Sequence, residues 1–399
     1  MRDPQLLTAA NAIVGDVTLL RRKIHASPEL AYQEADTARL VELHLRRLGL
    51  EVHAGIAGTG VIALLHGRSS DEAKGRVVLL RADMDALPIQ EEAPVPFASR
   101  RQGVMHACGH DVHVACLAGA ATLLTNLREQ LVGDVVFMFQ PAEEAASGAT
   151  RMIADGLFEI AHPNVAYMLH VWHDLPAGQV AVRPGPVMAG ALMFDIRILG
   201  RGGHAARPHQ TVDPVVIAAQ VVTALQSVVS REIDPADAAV LTIGSLNAGN
   251  AANVIPDFAV VRGTVRAYRE AVIAHLRARV AEVATHIAAG MRAIAEVEFS
   301  EEIPPVVNDE TATAVALAAF RKYLGDAAIG EMPTSMGSED FAFVLRHIPG
   351  AAMRLGVRGE SWPSSRPIHT STFEVDESCL PVGVAALAAV AMQQLTSTA

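Results

Sequence analysis

Apolar positions near the N-terminus recur at helical spacing. Val14, Val17, Leu20 and Ile24 predict an amphipathic helix, with Pro28 beyond its end. Leu40, Val41, Leu45 and Leu48 predict a second helix, stopped by Gly49. The pattern then shortens into nearly continuous apolar runs: Val61 to Leu65, Arg76 to Asp83, Asp134 to Phe139 and Asn164 to Leu169. Helical stretches, such as Val114 to Leu127, lie between them. Strands without polar alternation, interleaved with helices, predict an α/β fold with a buried, largely parallel sheet. Three of these strands lead into polar residues: Asp83-Met84-Asp85, Gln140-Pro141-Ala142-Glu143-Glu144 and His170-Val171-Trp172-His173. In open α/β sheets the binding site lies beyond the carboxyl ends of the strands, so topology alone makes these residues converge.

Around Pro184-Gly185-Pro186 the pattern changes. A strand from Val187 to Leu199 shows partial alternation. Asp213-Pro214 then opens a helix, as a cap followed by a first-turn proline. Strands at Ala239 to Leu246 and Phe258 to Ala267, a helix from about Arg269 to Met291 and a strand from Ile294 to Phe299 complete the series. Strand, helix, strand, strand, helix, strand is the order of a ferredoxin-like α+β unit. Residues 186–302 are therefore expected to form an inserted domain, and 1–185 with 303–399 the domain that hosts it. A helix from Thr311 to Tyr323 and an Ala-rich helix after Pro381 belong to the latter.

Composition narrows the picture. The chain has 399 residues, 51% hydrophobic and 19% charged, with a net charge of −11, which suits two globular domains. It has no basic tract of note, so no nucleic-acid partner is expected. No uninterrupted apolar run reaches the roughly 18 residues of a membrane span, and the N-terminus lacks a signal-peptide core; the expectation is a cytoplasmic protein with no membrane partner. Cys108, Cys116 and Cys379 are an odd, sparse set that argues against a disulfide framework. Cys116 and Cys379 read as core packing.

Chemistry concentrates in His106-Ala107-Cys108-Gly109-His110-Asp111-Val112-His113. Cys108 and His110, separated by one glycine, can aim thiolate and imidazole at one point. Such ligands suit zinc, and less selectively manganese, cobalt or nickel. The plain alternative is a helix start capped by Asp111 with surface histidines. Glu143-Glu144 is a pair of adjacent carboxylates that repel unless a cation sits beside them. A metal would let one coordinate while the other handles a proton; a solvent-facing acidic loop is the alternative. His170 at the end of its strand is preferred over His173 as a ligand. His369 is an isolated histidine in a polar loop. The glycines of Gly200-Arg201-Gly202-Gly203-His204 mark an exposed loop presenting His204, either a lid serving a substrate oxyanion or a hairpin with a chance histidine.

Taken together, these motifs resemble the M20 family of metal-dependent peptidases and amidohydrolases. The nearest branch is that of aminoacylase-like, hippurate-hydrolase-like and auxin-conjugate-hydrolase-like enzymes. The resemblance runs in order through Ile24 to Leu30, Arg81 to Pro88, His106 to Asp111, Phe139 to Glu144, Gly202 to His209, Asn253 to Pro256, Met336 to Phe341 and Ile368 to Thr370. It implies a mostly parallel-sheet, zinc-peptidase-like catalytic domain with an inserted ferredoxin-like lid and dimerisation domain. It also implies two divalent ions per subunit, Mn2+ or Zn2+ with Co2+ or Ni2+ as further candidates. Cys108 would bridge them, with His110, Glu144, His170 and His369 completing the ligands. Glu143 would be the general base, and Asp83 a carboxylate that orients a ligand imidazole. His204 would stabilise the oxyanion, and Asn253, Met336 and Gly337 would contact substrate. Arg81 departs from the His-x-Asp pattern of other branches, and His110 would take over that duty. The implied reaction is hydrolysis of an N-acyl amino acid to a carboxylic acid and a free amino acid, by a homodimer or higher homo-oligomer. The rivals are a carboxypeptidase or dipeptidase using the same ions, and a non-catalytic metal-binding or thiol-sensing protein.

Overall fold

The computed structural model describes residues 3–68 and 75–396. The chain divides into two units: Met1–Gly185, Val307–Pro333 and Asp340–Ala399 form the first, and Pro186–Val306 with Thr334–Glu339 the second. The return to the first unit thus falls after Val306 rather than after residue 302, and the short segment 334–339 joins the insert.

The first unit begins with α1 (Gln5–His25), α2 (Ala35–Arg47), β1 (Glu51–Ile56), β2 (Gly60–His66), β3 (Val77–Asp83), α3 (His110–Asn126), β4 (Asp134–Gln140), β5 (Val165–Pro176) and β6 (Val180–Ala181). The second unit contributes β7 (Gly190–Leu199), α4 (Pro214–Glu232), β8 (Ala239–Ala248), β9 (Phe258–Ala267), α5 (Glu270–Gly290) and β10 (Ile294–Phe299). The chain closes the first unit with α6 (Glu310–Tyr323), β11 (Gly350–Arg358) and α7 (Leu380–Leu395).

Among the described residues the first unit's sheet runs β1-β2-β4-β3-β5-β11-β6. Its four central strands, β4, β3, β5 and β11, are parallel, and the outer ones antiparallel. This is the mixed α/β, mostly parallel arrangement that the apolar runs predicted. Parallel strands are covered on both faces: Leu79 of β3 is buried on one face, and on the other Val78 and Leu80 share a buried cluster with Leu117 and Ala121 of α3 and Leu387 of α7. The register sets Asp83 beside Gln140 at the carboxyl ends of β3 and β4. β5 runs well past Leu169, to Pro176, because β11 pairs with it in parallel and sets Arg354 beside His170. His170 is therefore inside a strand, not at its end.

The second unit's sheet runs β8-β9-β7-β10, wholly antiparallel. This is the ferredoxin-like order, with α4 and α5 filling its core alongside the strands. Asp213 caps α4 by accepting from the Val215 N–H at 2.9 Å, with Pro214 in the first turn. Two helices, Pro214–Glu232 and Glu377–Leu395, are long and apolar enough to cross a membrane by length and composition. A count of uninterrupted apolar runs does not register them. α7 lies in the core of the first unit, and α4 sends Ile217, Val221, Leu225 and Val228 into that of the second.

The C-terminal turn of α1 is tied to α3 by buried charges. Asp111 Oδ2 accepts from Arg21 Nε at 2.7 Å and from His25 Nδ1 at 2.9 Å, while His25 Nε2 lies 3.0 Å from Glu91. Asp111 is thus an ion-pair partner in the first turn of α3, whose N-cap position is Gly109. Phe97 stacks edge-on to His25, and the His106 ring lies 6.3 Å away. Burial pushes the His25 pKa down, but the charge of Asp111 and the hydrogen bonds to Asp111 and Glu91 outweigh it, with Arg21 opposing them, and raise it to about 9. A group raised in the folded state stabilises fully below its unfolded value of 6.5 and stops doing so as pH climbs through about 9. The gap corresponds to on the order of 3 kcal/mol. Urea unfolding midpoints should therefore fall between pH 7 and pH 10 in the wild type, while His25→Gln starts lower and shows a flatter profile. Parallel profiles would remove His25 from the account.

Candidate metal centre

Five elements of the first unit bring the predicted ligands together. Cys108 and His110 flank Gly109, which adopts φ +81°; a Cβ there would meet Val171 Cγ2 at 2.6 Å. Only glycine allows both the left-handed backbone and that close approach. The turn places Cys108 directly ahead of α3, which starts at His110. Glu143 and Glu144 follow β4 through Ala142, also left-handed at φ +54°. Asp85 fixes this turn, its two carboxylate oxygens accepting from the Glu143 and Glu144 N–H groups at 3.1 and 3.0 Å. His170 projects from β5. His369 arrives from the loop after β11 with φ +62°, its N–H donated to the Ala107 carbonyl at 2.8 Å.

The resulting geometry is compact. Cys108 Sγ lies 3.5 Å from His170 Nε2 and 3.3 Å from His369 Nε2, and His369 Nε2 lies 3.3 Å from Glu144 Oε1. Donor atoms of Cys108, His110 and His170 fall within 4.8 Å of one another, and so do those of Cys108, Glu144 and His369. Cys108 is common to both sets. Glu143 shares a third set with His110 and Glu144, its carboxylate 4.0 Å from His110 Nε2. His173 stands apart, against Trp172 and Asp174.

Two further side chains are built into the centre that sequence reasoning passed over. Asp85 not only holds the Glu143-Glu144 turn but also lies 3.3 Å from His110 Nδ1. Its signal was its place two residues after Asp83, on the same side of an extended chain. His113, three residues after His110 on one face of α3, sits 2.5 Å from Asp83. The histidines at 106, 110 and 113 are all buried rather than surface groups. Asp83 Oδ2 lies 3.5 Å from His110 Nε2 and accepts from Arg81 Nη1 at 2.7 Å.

The electrostatics follow from these contacts. Burial disfavours the Asp83 carboxylate, but Arg81, His110 and His113 outweigh it and hold its pKa well below the usual range. Burial likewise opposes charge on His110, which Asp83 and Cys108 overcome, raising it well above its ordinary value. Burial pushes the Cys108 thiol up. Burial, with His113 and Arg354, holds His170 well below its ordinary value, so it is neutral. Hydrogen bonds to Cys108 and Glu144 push His369 up to about 10.

The donor set fits divalent cations. Thiol, imidazole and carboxylate converge, and both ring nitrogens of His110 and Glu144 Oε1 are buried with only long or poorly aligned contacts to Asp83, Asp85 and His369. Groups so placed cost free energy unless something satisfies them. A dication would also reverse the local balance, favouring thiolate and neutral imidazole.

The remaining candidates belong to the second unit. His204 and Asn253 lie on neighbouring segments: His204 pairs with Val254, and the Ala205 N–H is donated to the Asn253 carbonyl at 3.1 Å. His204 is exposed, and its Nδ1 accepts from the Ala206 N–H at 3.1 Å. Met336 offers its carbonyl to Arg266 Nη1 at 2.9 Å, and the Gly337 N–H is held by Ser335.

Known proteins share this architecture. An IAA-amino acid hydrolase (ILR1-like 2) of Arabidopsis thaliana is 41% identical over 386 residues, covering 95% of this chain and 85% of that one. Thermostable carboxypeptidase 2 of Saccharolobus solfataricus is 37% identical over 377 residues, 94% of each chain. The crystal structure of the Bacillus subtilis YXEP protein, described as a dinuclear metal binding peptidase from the M20 family, superposes with a TM-score of 0.81 at 35% identity. It covers 96% of this chain and 98% of that one. Residues 79–393 match the peptidase family M20/M25/M40, and with identities of this size over nearly its whole length the chain belongs to that family.

Proposed function

We propose that the protein is a metal-dependent amidohydrolase that cleaves the amide bond of N-acyl amino acids, giving a carboxylic acid and a free amino acid. The observation that carries this reading is a pair of three-donor sets sharing Cys108, with Glu143 beside them. Cys108, His110, Glu144, His170 and His369 would hold two divalent ions, manganese or zinc, with cobalt or nickel as further candidates. When bound, the ions supply a water of lowered pKa and polarise the amide carbonyl.

The chain's own residues supply the rest. Glu143 takes a proton from the attacking water as its oxygen bonds to the carbonyl carbon, and returns a proton to the amide nitrogen as the C–N bond breaks. Glu144 is engaged by His369, whereas the Glu143 carboxylate lies beside His110, 4.0 Å from its Nε2. Asp85 sets the turn that carries both. Asp83 restrains the His110 imidazole. His204 receives the Ala206 N–H on Nδ1, so its ring proton sits on Nε2, ready to donate to a developing oxyanion. Asn253, Met336 and Gly337 complete the substrate contacts in this reading. A homodimer belongs to it as well, supported by Met193, Phe258 and Ile294 exposed on the second unit's sheet. The three free, buried cysteines support a reducing, cytoplasmic setting.

The likeness to a carboxypeptidase favours a second reading, cleavage of a peptide by the same residues. A panel of N-acetyl, N-benzoyl and indole-acetyl amino acids against dipeptides, with each metal in turn and with chelator, separates the two. Faster turnover of the acyl amino acids, abolished by chelator, is expected. Glu143→Ala should lower kcat by at least about 100-fold with metal content unchanged; retention of more than a few per cent of the rate would dismiss Glu143 as base. Cys108→Ala should lose metal by elemental analysis, and two ions retained per chain would take Cys108 out of the centre. His204→Ala should slow turnover by about 100-fold or more without loss of metal; a fall in metal content would make it a ligand instead.

A further inference from the structure

His113 is buried at the heart of the first unit and uses both ring nitrogens. Nδ1 faces Asp83 Oδ1 at 2.5 Å, so it carries the proton and donates. Nε2 accepts the backbone N–H of Val171 at 2.9 Å. A nitrogen pair committed in this way has no lone pair left for an ion, although the Asp83, His110 and His113 donor atoms lie within 4.8 Å of one another.

The bond to Val171 answers a gap in the sheet. β3 pairs with β5 from Val78 opposite Val165 to Arg81 opposite Met168, and the ladder ends there. Beyond Met168 a buried N–H on that side of β5 needs another acceptor. His113 supplies it at Val171. The Val171 carbonyl in turn accepts from His170 Nδ1 at 2.7 Å, which leaves the His170 Nε2 lone pair directed toward Cys108 Sγ, 3.5 Å away. One residue of backbone therefore stands between two histidines: its N–H is held by one, and its carbonyl fixes the tautomer of the other.

The anchor behind His113 is itself rigid. Arg81 donates to Asp83 Oδ2 at 2.7 Å, to Gln140 Oε1 at 2.9 Å and to Asp340 Oδ1 at 3.1 Å. Gln140 Nε2 donates to Asp340 Oδ1 at 2.7 Å, and Asp340 Oδ2 accepts the Ala149 N–H at 3.0 Å.

We propose that His113 is a positioning residue, which, braced by Asp83, holds the Val171 backbone so that His170 presents Nε2 to the Cys108–His110–His170 half of the centre. The inference rests on the dinuclear reading above. It predicts an asymmetric defect, because the hydrogen bonds of Val171 orient His170, whereas Glu144 and His369 of the other half make none with it.

The test is Co2+ titration of the metal-free full-length protein by calorimetry, with thermal unfolding of the metal-free forms, for wild type, His113→Leu and His113→Gln. Leucine removes both hydrogen bonds. Glutamine keeps a donor and an acceptor on one planar group. The wild type should take up two equivalents. His113→Leu should bind one of them about 10–100-fold more weakly and the other within about threefold of wild type, and His113→Gln should recover most of the loss. Two variants that unfold earlier but bind both ions as the wild type does would make His113 merely structural and overturn the proposal. Equal weakening of both ions would overturn it too. A wild type that binds no Co2+ would sink the dinuclear reading, and the proposal with it.

Discussion

Carboxylates at the end of β3 are the constraint on which the centre depends. Asp83 and Asp85 are both almost fully buried, and a buried carboxylate is tolerable only when its oxygens are satisfied. Asp85 is satisfied by two backbone N–H groups, and in accepting them it folds the Glu143-Glu144 turn. Asp83 is satisfied by Arg81 and His113, and through them it reaches β4 and β5. Removing either acid would leave several polar groups without partners at once. The parallel sheet makes this possible by ending β3 and β4 at one level while β5 runs on, so that on the β3 side of β5 side chains take up the hydrogen bonds instead.

The centre also separates protonation states among groups that look alike in sequence. His110, His170 and His369 are all close to Cys108 or to its neighbouring donors, yet His110 and His369 are pushed up and His170 down. The difference lies in what each ring faces. His110 faces Asp83, and the partly exposed His369 faces Cys108 and Glu144, whereas His170 is buried, lies beside His113 and Arg354 and spends its Nδ1 on a carbonyl. The adjacent carboxylates have different neighbours as well: Glu144 lies against His369 and Glu143 beside His110.

Much of this was legible along the chain because it is local. The single glycine between Cys108 and His110, the acidic pair after an apolar strand and the Asp213-Pro214 cap each state their role within a few residues. The alternation of apolar strands and helices is local too, and it carried the fold of both units. What could not be read depends on partners far apart in sequence. The length of β5 is set by β11, about 180 residues later, so His170 read as a strand end. Asp111 read as a cap because its partners, Arg21 and His25, lie near the other end of the first hundred residues. Asp85 and His113 act through backbone N–H groups, which have no residue letter, so nothing in the sequence around Glu143 or Val171 pointed to them.

The reach of His369 has a consequence for how the molecule is made. This donor enters from residue 369 in a left-handed conformation and is hooked to Ala107, whereas the other four come from residues 108 to 170. Synthesis proceeds from the N-terminus, so four of the five proposed donors can be in place on the ribosome while the fifth is still untranslated. In the proposed dinuclear centre, loading of the second half would therefore come late in biogenesis, and a chain cut short before this loop would lack one of the proposed donors.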